Sequence, residues 1–449
     1  MPNKRPKPNR RIPAEDQAQA LMAALRLHQR GQLSRAEKSY KKILIRETEN
    51  AVAHHLLGRL YYQTQRSDAA IASLQRAVAV QPNYPDALMD LANMLHDQGQ
   101  YVQAEECLLQ VIRRQPNNSM PHNNLGVLYK DQQRFDEALV AYRRSVELDA
   151  SNSAALGNLA RALSRIEDFD GAIQIYRRLL EVEPANIEAL KSLASVLRRA
   201  GRLAEAIEVF SRWLALEPDN PVARHLLSAC TDTATPQRAS DEYVREVFDN
   251  FASTFEADLA RLSYRGPKIM EQALSRELGE PNNQRIILDA GCGTGLCGPV
   301  LRPYAQRLIG VDISRKMLDV AERRTLYDEL IESELGLYLS HHTAEFDLIA
   351  SADTFGYFGD LATLLQMAHS ALRSGGLLLA TLEVGNISPE QGYHLQSSGR
   401  YCHNREYVRL CCETAGFTIR SLNDDTLRIE AEQAVPVVVL LAQSDTRKA

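Results

Sequence analysis

The predicted fold class is an all-α array of helical hairpins followed by an α/β domain, and two observations predict it. In the first half of the chain small residues return every 34 positions. Gly58, Ala92, Gly126, Ala160 and Ala194 form one series, and Ala70, Ala104, Ala138, Ala172 and Ala206 a second. In the second half the pattern changes. An apolar run at 286–288 ends in Asp289 and enters a turn with Gly291, Gly293 and Gly295. A further run, Leu308, Ile309 and Val311, then ends in Asp312. That is a β-loop-α-β unit suited to a nucleoside. The glycines let the backbone turn tightly and approach a ligand, and Asp312 is placed to accept hydrogen bonds from ribose hydroxyls.

The array comes first. Prolines recur in register at 82, 116, 184 and 218, with Ala150 in the remaining place. Large residues fall between them: Tyr40, Leu74, Leu108, Tyr142, Tyr176 and Phe210. Small side chains let the two helices of a hairpin close up, the large residue fills the gap to the next hairpin, and proline ends the second helix. This period and residue set resemble the tetratricopeptide repeat (TPR). Ala24 and Ala36 mark a weaker first unit, so six units span 17–220, and a lone helix over 221–230 caps the last apolar face. The solenoid is therefore assigned to 17–230, after a basic tail over 1–16.

Such arrays curve, with the first helix of each unit on the concave side. One inner position in successive units holds Asp90, Asn124, Asn158 and Ser192, which resembles the asparagine ladder of O-GlcNAc transferase. Lys130, Arg161, Arg165, Lys191, Arg198 and Arg199 make the groove basic toward its end. An extended, somewhat acidic peptide is the expected ligand. Ordinary repeat consensus with a solvated charged face is the competing account.

A polar linker, 231–242, leads to the second domain, 243–449. Its opening segment has Phe248, Phe251, Phe255, Leu259 and Leu262 at helical spacing. The glycine turn reads GxGxG. A dinucleotide fingerprint would need a further glycine where Leu296 stands. The string LDAGCGTG at 288–295 resembles motif I of class I S-adenosylmethionine (SAM) methyltransferases, and the match continues through GVDISRKMLDVAERR at 310–324. The fold that this resemblance implies is a Rossmann-like seven-stranded domain with SAM as cofactor. Asp289, Gly291, Cys292, Gly293 and Gly295 would cradle the methionine end, Asp312 would hold the ribose, and Ile313 would lie over the adenine, with Met317 beside them. The segment 248–267 resembles the leader of a bacterial group of TPR-fused predicted methyltransferases. There Tyr264 and Arg265 would reach the SAM carboxylate or the substrate.

The remaining elements follow in order. A helix is expected over 296–304, another over 316–324, and a short third strand over 330–332, after which Glu334 would take the adenine amino group by family analogy. The fourth strand is followed by Ser351, Ala352 and Asp353, at the sheet edge that faces the ligand crevice in open α/β folds. Ser351 is assigned to the cofactor and Asp353 to catalysis. The segment GYHLQSSGRYCHNREYV at 392–408 follows the fifth strand, and its SGRYCH core resembles the same bacterial group. Methyl transfer is an in-line displacement that depends on positioning. A hydroxyl or ammonium acceptor would use a base, for which His403 has the fitting pKa range. Tyr401 and Arg400 would orient the acceptor. The alternative is that His403 only caps the next helix. A helix and a closing hairpin complete the domain, with Arg428 and Glu430 read as a surface pair.

Several chemistries are excluded. SADTF replaces the NPPY-like tetrad of amino-methylases, and no Pro-Cys nucleophile or zinc-ligand set is present. The seven cysteines have no metal spacing and suggest free thiols in a reducing cytoplasm. A net charge of -5 argues against general nucleic-acid binding, no apolar run is long enough for a membrane helix, and the basic tail lacks a secretory core. The reading is a cytoplasmic SAM-dependent methyltransferase whose repeat array recruits a protein for N- or O-methylation. The rivals are a small-molecule enzyme docked through the array and a SAM-binding scaffold without turnover.

Overall fold

The computed structural model describes residues 14–231, 235–430 and 432–445. Most of the basic tail and residues 232–234 of the linker lie outside these. The chain forms two compact units, residues 1–196 and 197–449.

The first unit is a succession of helical hairpins, for example Ala51–Gln63 with Ser67–Val80 and Ser119–Asp131 with Phe135–Leu148. The small-residue series marks where two helices touch. A Cβ at Gly58 would meet Leu74 Cγ at 2.8 Å, and one at Gly126 would overlap the Tyr142 ring. Second helices end two residues before the periodic prolines, at Val80, Arg114 and Val182, and within the second unit at Leu216. Asparagines form a further periodic series at the helix starts. Asn50, Asn152, Asn186 and Asn220 each accept the backbone N–H three residues on, and Asn118 does so two residues on, at the starts of first helices. Each such cap contributes about 1 kcal/mol. The capping helix of the array, Pro221–Ser228, belongs to the second unit, where His225 Nε2 donates to the Gly399 carbonyl at 2.9 Å.

The second unit is built on strands β1 (Arg285–Ala290), β2 (Ala305–Asp312), β3 (Glu329–Glu332), β4 (Phe346–Ser351), β5 (Leu372–Glu383), β6 (Tyr393–Leu395), β7 (Tyr401–His403), β8 (Phe417–Glu430) and β9 (Gln433–Ser444). Seven of them form one sheet in the order β3-β2-β1-β4-β5-β9-β8, parallel through β5 and then antiparallel. β6 and β7 form a separate small hairpin, which the sequence had shown only as a polar stretch. The sheet is covered on both faces, which explains the continuous apolar runs. Ile287 packs with Ile269, Met270 and Leu274 of helix Gly266–Leu278. Its neighbour Leu288 belongs to the opposite layer, with Leu364, Leu365 and Val408. Each is fully buried, a contribution of about 1.5–3 kcal/mol apiece. The helix expected over 296–304 is only a short turn, Gly298–Leu301, continued by a 3-10 turn. In-register pairing sets Asp312 beside Glu332 and Asp289 beside Gly310, so the strand ends that carry acids share one edge.

Candidate functional site

The loop after β1 is shaped by three left-handed glycines, with φ of +75° at Gly291, +54° at Gly293 and +79° at Gly295. At Gly291 the reason is steric as well, because a Cβ would overlap Thr354 Oγ1. Thr354 itself donates to the Ala290 carbonyl at 3.0 Å, as does the buried Ser351 hydroxyl. Gly293 is the open member, with only Phe255 Cε1 near, 3.9 Å from where a Cβ would stand. Beside it the buried Thr294 hydroxyl has no hydrogen-bond partner among the described residues.

Asp312 is bound to this loop. Its Oδ2 accepts the Gly293 N–H and its Oδ1 the Ser314 N–H, both at 2.9 Å. The Ile313 N–H is directed at the same carboxylate, which leaves one of its roughly four acceptor sites open. Asp289 is buried and accepts the Tyr327 hydroxyl at 2.7 Å. Burial pushes Asp289 up to about 7 against the Tyr327 hydrogen bond, with the Asp312 charge adding to the rise. Asp312 is pushed up to about 6, again by burial, against the backbone N–H groups of Ser314 and Gly293.

Both values lie above the unfolded range, so between about pH 4 and 7 the folded state binds more protons at these groups than the unfolded state does. Their contribution to stability therefore declines as pH rises through that window. Asp289→Asn should remove its share. The melting temperature of the wild type minus that of the variant should fall from pH 5 to pH 8, and a constant difference by calorimetry would contradict the assignment.

Other expected cofactor residues are placed as follows. Ile313 is half-buried after Asp312, and Cys292 is buried in the loop. Met317 is wholly buried on helix Arg315–Glu322, so its side chain serves the packing. Glu334 starts helix Leu335–Ser340, accepting the N–H groups of Gly336 and Leu337 at 2.9 and 2.6 Å.

The leader covers the loop with residues the sequence did not single out for that role. Asp249 accepts the Ser314 hydroxyl at 2.6 Å. Glu256 pairs with Arg324 at 2.6 Å, and Arg324 also donates to the Thr294 carbonyl at 2.7 Å. Arg265 is elsewhere. It donates to Asp425 at 2.6 Å and to the Thr426 carbonyl at 3.2 Å, which fastens the leader to β8 and gives it a structural partner in place of a ligand.

The acceptor-side expectations need correction. The Tyr401 side chain is fully buried, and its hydroxyl donates to the Pro236 carbonyl at 2.9 Å. His403 is fully buried too. Its Nε2 donates to the Phe358 carbonyl at 2.8 Å, and burial lowers its pKa below the usual value. The next helix is capped by Asn404 instead. Neither ring presents a proton acceptor to solvent, because β7 turns both inward. Tyr401→Phe should keep the methyl-transfer rate within twofold and cost about 1 kcal/mol of stability. A rate loss of tenfold or more in a labelled-methyl assay would restore Tyr401 to the chemistry.

Arg400 is likewise enclosed. It donates to Glu383 at 2.6 Å, to the Tyr357 hydroxyl at 3.0 Å, and to Asp353. Arg428 is buried rather than on the surface, bonded to Glu383 at 2.8 Å, to Glu430, and 3.5 Å from Asp353. Asp353 joins this cluster from a left-handed backbone, φ +66°, an uncommon conformation for a side-chain-bearing residue. Burial raises its pKa against the two arginines, whereas at Glu383 the arginines overcome burial and hold the carboxyl below its usual value.

In the array, the ladder residues bond between neighbouring units. Asp90 accepts from His55 at 2.7 Å, Asn124 donates to Asn93 at 3.0 Å, and Asn158 donates to Asn123 at 2.8 Å while accepting from Arg161 at 2.6 Å. Ser192 is hydrogen-bonded to Tyr176. A cleft of about 450 Å³ opens between His28, Arg59, Tyr62, Asp90 and Asn93.

Comparison with known proteins identifies the two parts of the chain. A family model described as "Methyltransferase domain" matches residues 288–380, and models described as "Tetratricopeptide repeat" match 21–87, 55–119, 158–221 and 121–185. The chain carries a tetratricopeptide-repeat array and a methyltransferase domain. The methyltransferase domain implies a methyl donor. Human methyltransferase-like protein 27 is 39% identical over 90 residues, which is 20% of this chain and 37% of that protein. The malonyl-[acyl-carrier protein] O-methyltransferase of Acetivibrio thermocellus is 25% identical over 163 residues, 32% of this chain and 58% of that one. The chain thus spans about a third to three-fifths of the length of these relatives. A solved structure of PilF from Pseudomonas aeruginosa is similar with a TM-score of 0.41 and 19% identity, over 46% of this chain and 94% of that one. Among the described residues no helix is long and apolar enough to cross a membrane.

Proposed function

We propose that this protein transfers a methyl group from SAM to a nitrogen or oxygen of a protein acceptor that the repeat array recruits. The observation that carries the reading is the joint between the glycine loop and Asp312. The Gly293 N–H is held by the same carboxylate that would accept a ribose hydroxyl at its open site. The residues suit SAM. Gly293 leaves an open backbone cradle, the Thr294 hydroxyl is an unused buried donor, and Ile313 follows the ribose acid where an adenine would rest. Glu334, on the next strand's end, is the candidate for the adenine amino group.

SAM supplies an electrophilic methyl group, and this chain's residues would hold donor and acceptor in line. With Tyr401 and His403 enclosed, the reading favours an acceptor that is already nucleophilic, a carboxylate or a neutral amine, for which no base is needed. The A. thermocellus relative, an O-methyltransferase acting on a malonyl group borne by a carrier protein, supports an acceptor presented on a protein. Asn124 and Asn158 retain hydrogen-bonding capacity toward an extended segment, and the cleft at Arg59 and Asp90 offers it a pocket.

Calorimetric titration with SAM tests the donor, and native protein that takes up no heat would end the enzyme reading. Transfer of tritiated methyl groups into a lysate, fractionated into protein and small molecules, tests the acceptor. Label should enter protein, and less of it with Asn124→Ala/Asn158→Ala. Label confined to small molecules would remove the recruitment role.

A further inference from the structure

We infer that Tyr327 is a positioning residue for the methyl donor, its ring wedged among three glycines and its hydroxyl aiming Asp289 into the loop. The inference rests on the SAM reading above and adds a residue that the loop motif does not contain.

The geometry comes from three separate segments. A Cβ at Gly295, in the loop, would stand 3.0 Å from Tyr327 Cε2. One at Gly298, where the short helix begins, would stand 3.1 Å from the Tyr327 hydroxyl. One at Gly310, in β2, would stand 3.0 Å from Tyr327 Cδ1, with Leu330 and the Cys292 sulfur closer still. All three separations are tighter than ordinary contacts, so the absence of a side chain at each position makes room for one ring. Gly295 therefore serves the tyrosine as well as the turn, and Gly310 serves it as well as the strand. The neighbouring Arg324 holds the Thr294 carbonyl at 2.7 Å, so the segment 324–327 is bonded to the loop at Thr294 and to the end of β1 at Asp289.

Burial is the largest influence on the charge of Asp289, and the hydroxyl opposes it. Asp289 faces Tyr327, Asp312, and the buried thiols of Cys292 and Cys297. Both thiols are held protonated by burial and by the nearby acids. Of these groups, the Tyr327 hydroxyl is the one that lowers the Asp289 pKa, while Asp312 raises it. With its carboxylate poised at about 7, Asp289 is ionised in only part of the molecules at neutral pH. Removing the hydroxyl shifts it toward the neutral acid, which is the poorer partner for a cationic donor.

The test is calorimetric SAM titration of full-length protein from pH 6.5 to 9, comparing wild type, Tyr327→Phe, Asp289→Asn and the double variant. Phenylalanine keeps the ring between the glycines, so the fold should survive. Tyr327→Phe should bind SAM about tenfold more weakly at pH 7, a deficit that shrinks to about twofold or less by pH 9 as Asp289 ionises in both proteins. In the Asp289→Asn background the phenylalanine change should have almost no further effect. Unchanged affinity, or a deficit equal at every pH, would overturn the inference, the latter by showing a structural role alone. Wild type that fails to bind SAM would overturn the donor reading itself, a result distinct from either.

Discussion

Asp312→Ala is expected to weaken SAM binding by about a hundredfold or more, the largest effect of any single change at the donor site. Two losses add. The ribose would lose a charged acceptor, and charge-assisted hydrogen bonds contribute about 1.5–3 kcal/mol each. The Gly293 and Ser314 N–H groups would lose their shared acceptor, so the loop would no longer be held in the shape the ligand needs. Asp312→Asn separates the two. An amide oxygen can still take one of the backbone N–H groups, so its deficit should be smaller, about tenfold. Titration calorimetry at pH 8, where the native carboxylate is ionised, measures both. An alanine variant within threefold of wild type would mean that the ribose is held elsewhere.

The second large effect is expected at the buried ion cluster. Arg428→Ala should destabilise the second unit by about 3–5 kcal/mol, because it strands carboxylates that burial has already removed from water. Glu383 would keep only Arg400, and Asp353 would lose one of the two cations that oppose its burial. For a unit of this size that corresponds to a fall of about 10 °C in its melting transition. Glu430→Gln is the contrasting case. Glu430 is more exposed than the rest of the cluster, so its loss should stay within about 1 kcal/mol. The cluster ties β5, β8 and the turn before β7 to the loop after β4, and that loop carries Thr354 against Gly291. Arg428→Ala should therefore also weaken donor binding severalfold. A melting temperature within 2 °C of wild type would show that the charges are better solvated than their burial implies.

The two predictions concern residues of opposite legibility. Asp312 was visible because everything that defines it is local. An apolar strand, an acid at its end and a glycine turn some twenty residues earlier form one supersecondary unit, and contiguous sequence specifies such a unit. The repeat array was visible for a similar reason, since each hairpin packs chiefly on its neighbours and the spacing repeats. The periodic asparagines at first-helix starts carried equal information and could have sharpened those boundaries. Tyr327 was less visible. Its role depends on glycines at 295, 298 and 310 that look like turn or strand residues until the ring between them is seen.

The sequence by itself determined the repeat array, the parallel sheet with its closing hairpin, and the acids and glycines around the loop after β1, because local periodicity and short-range patterns encode them. Only the tertiary structure decided what the polar side chains expected at the site do. Tyr401 bonds a carbonyl 165 positions away, Arg265 an acid 160 away, and Arg428 an acid 45 away. A tyrosine, histidine or arginine reads the same in sequence whether it faces a substrate or seals a core. Burial and pairing, which tell these apart, are set by partners that only the folded chain brings within hydrogen-bonding distance.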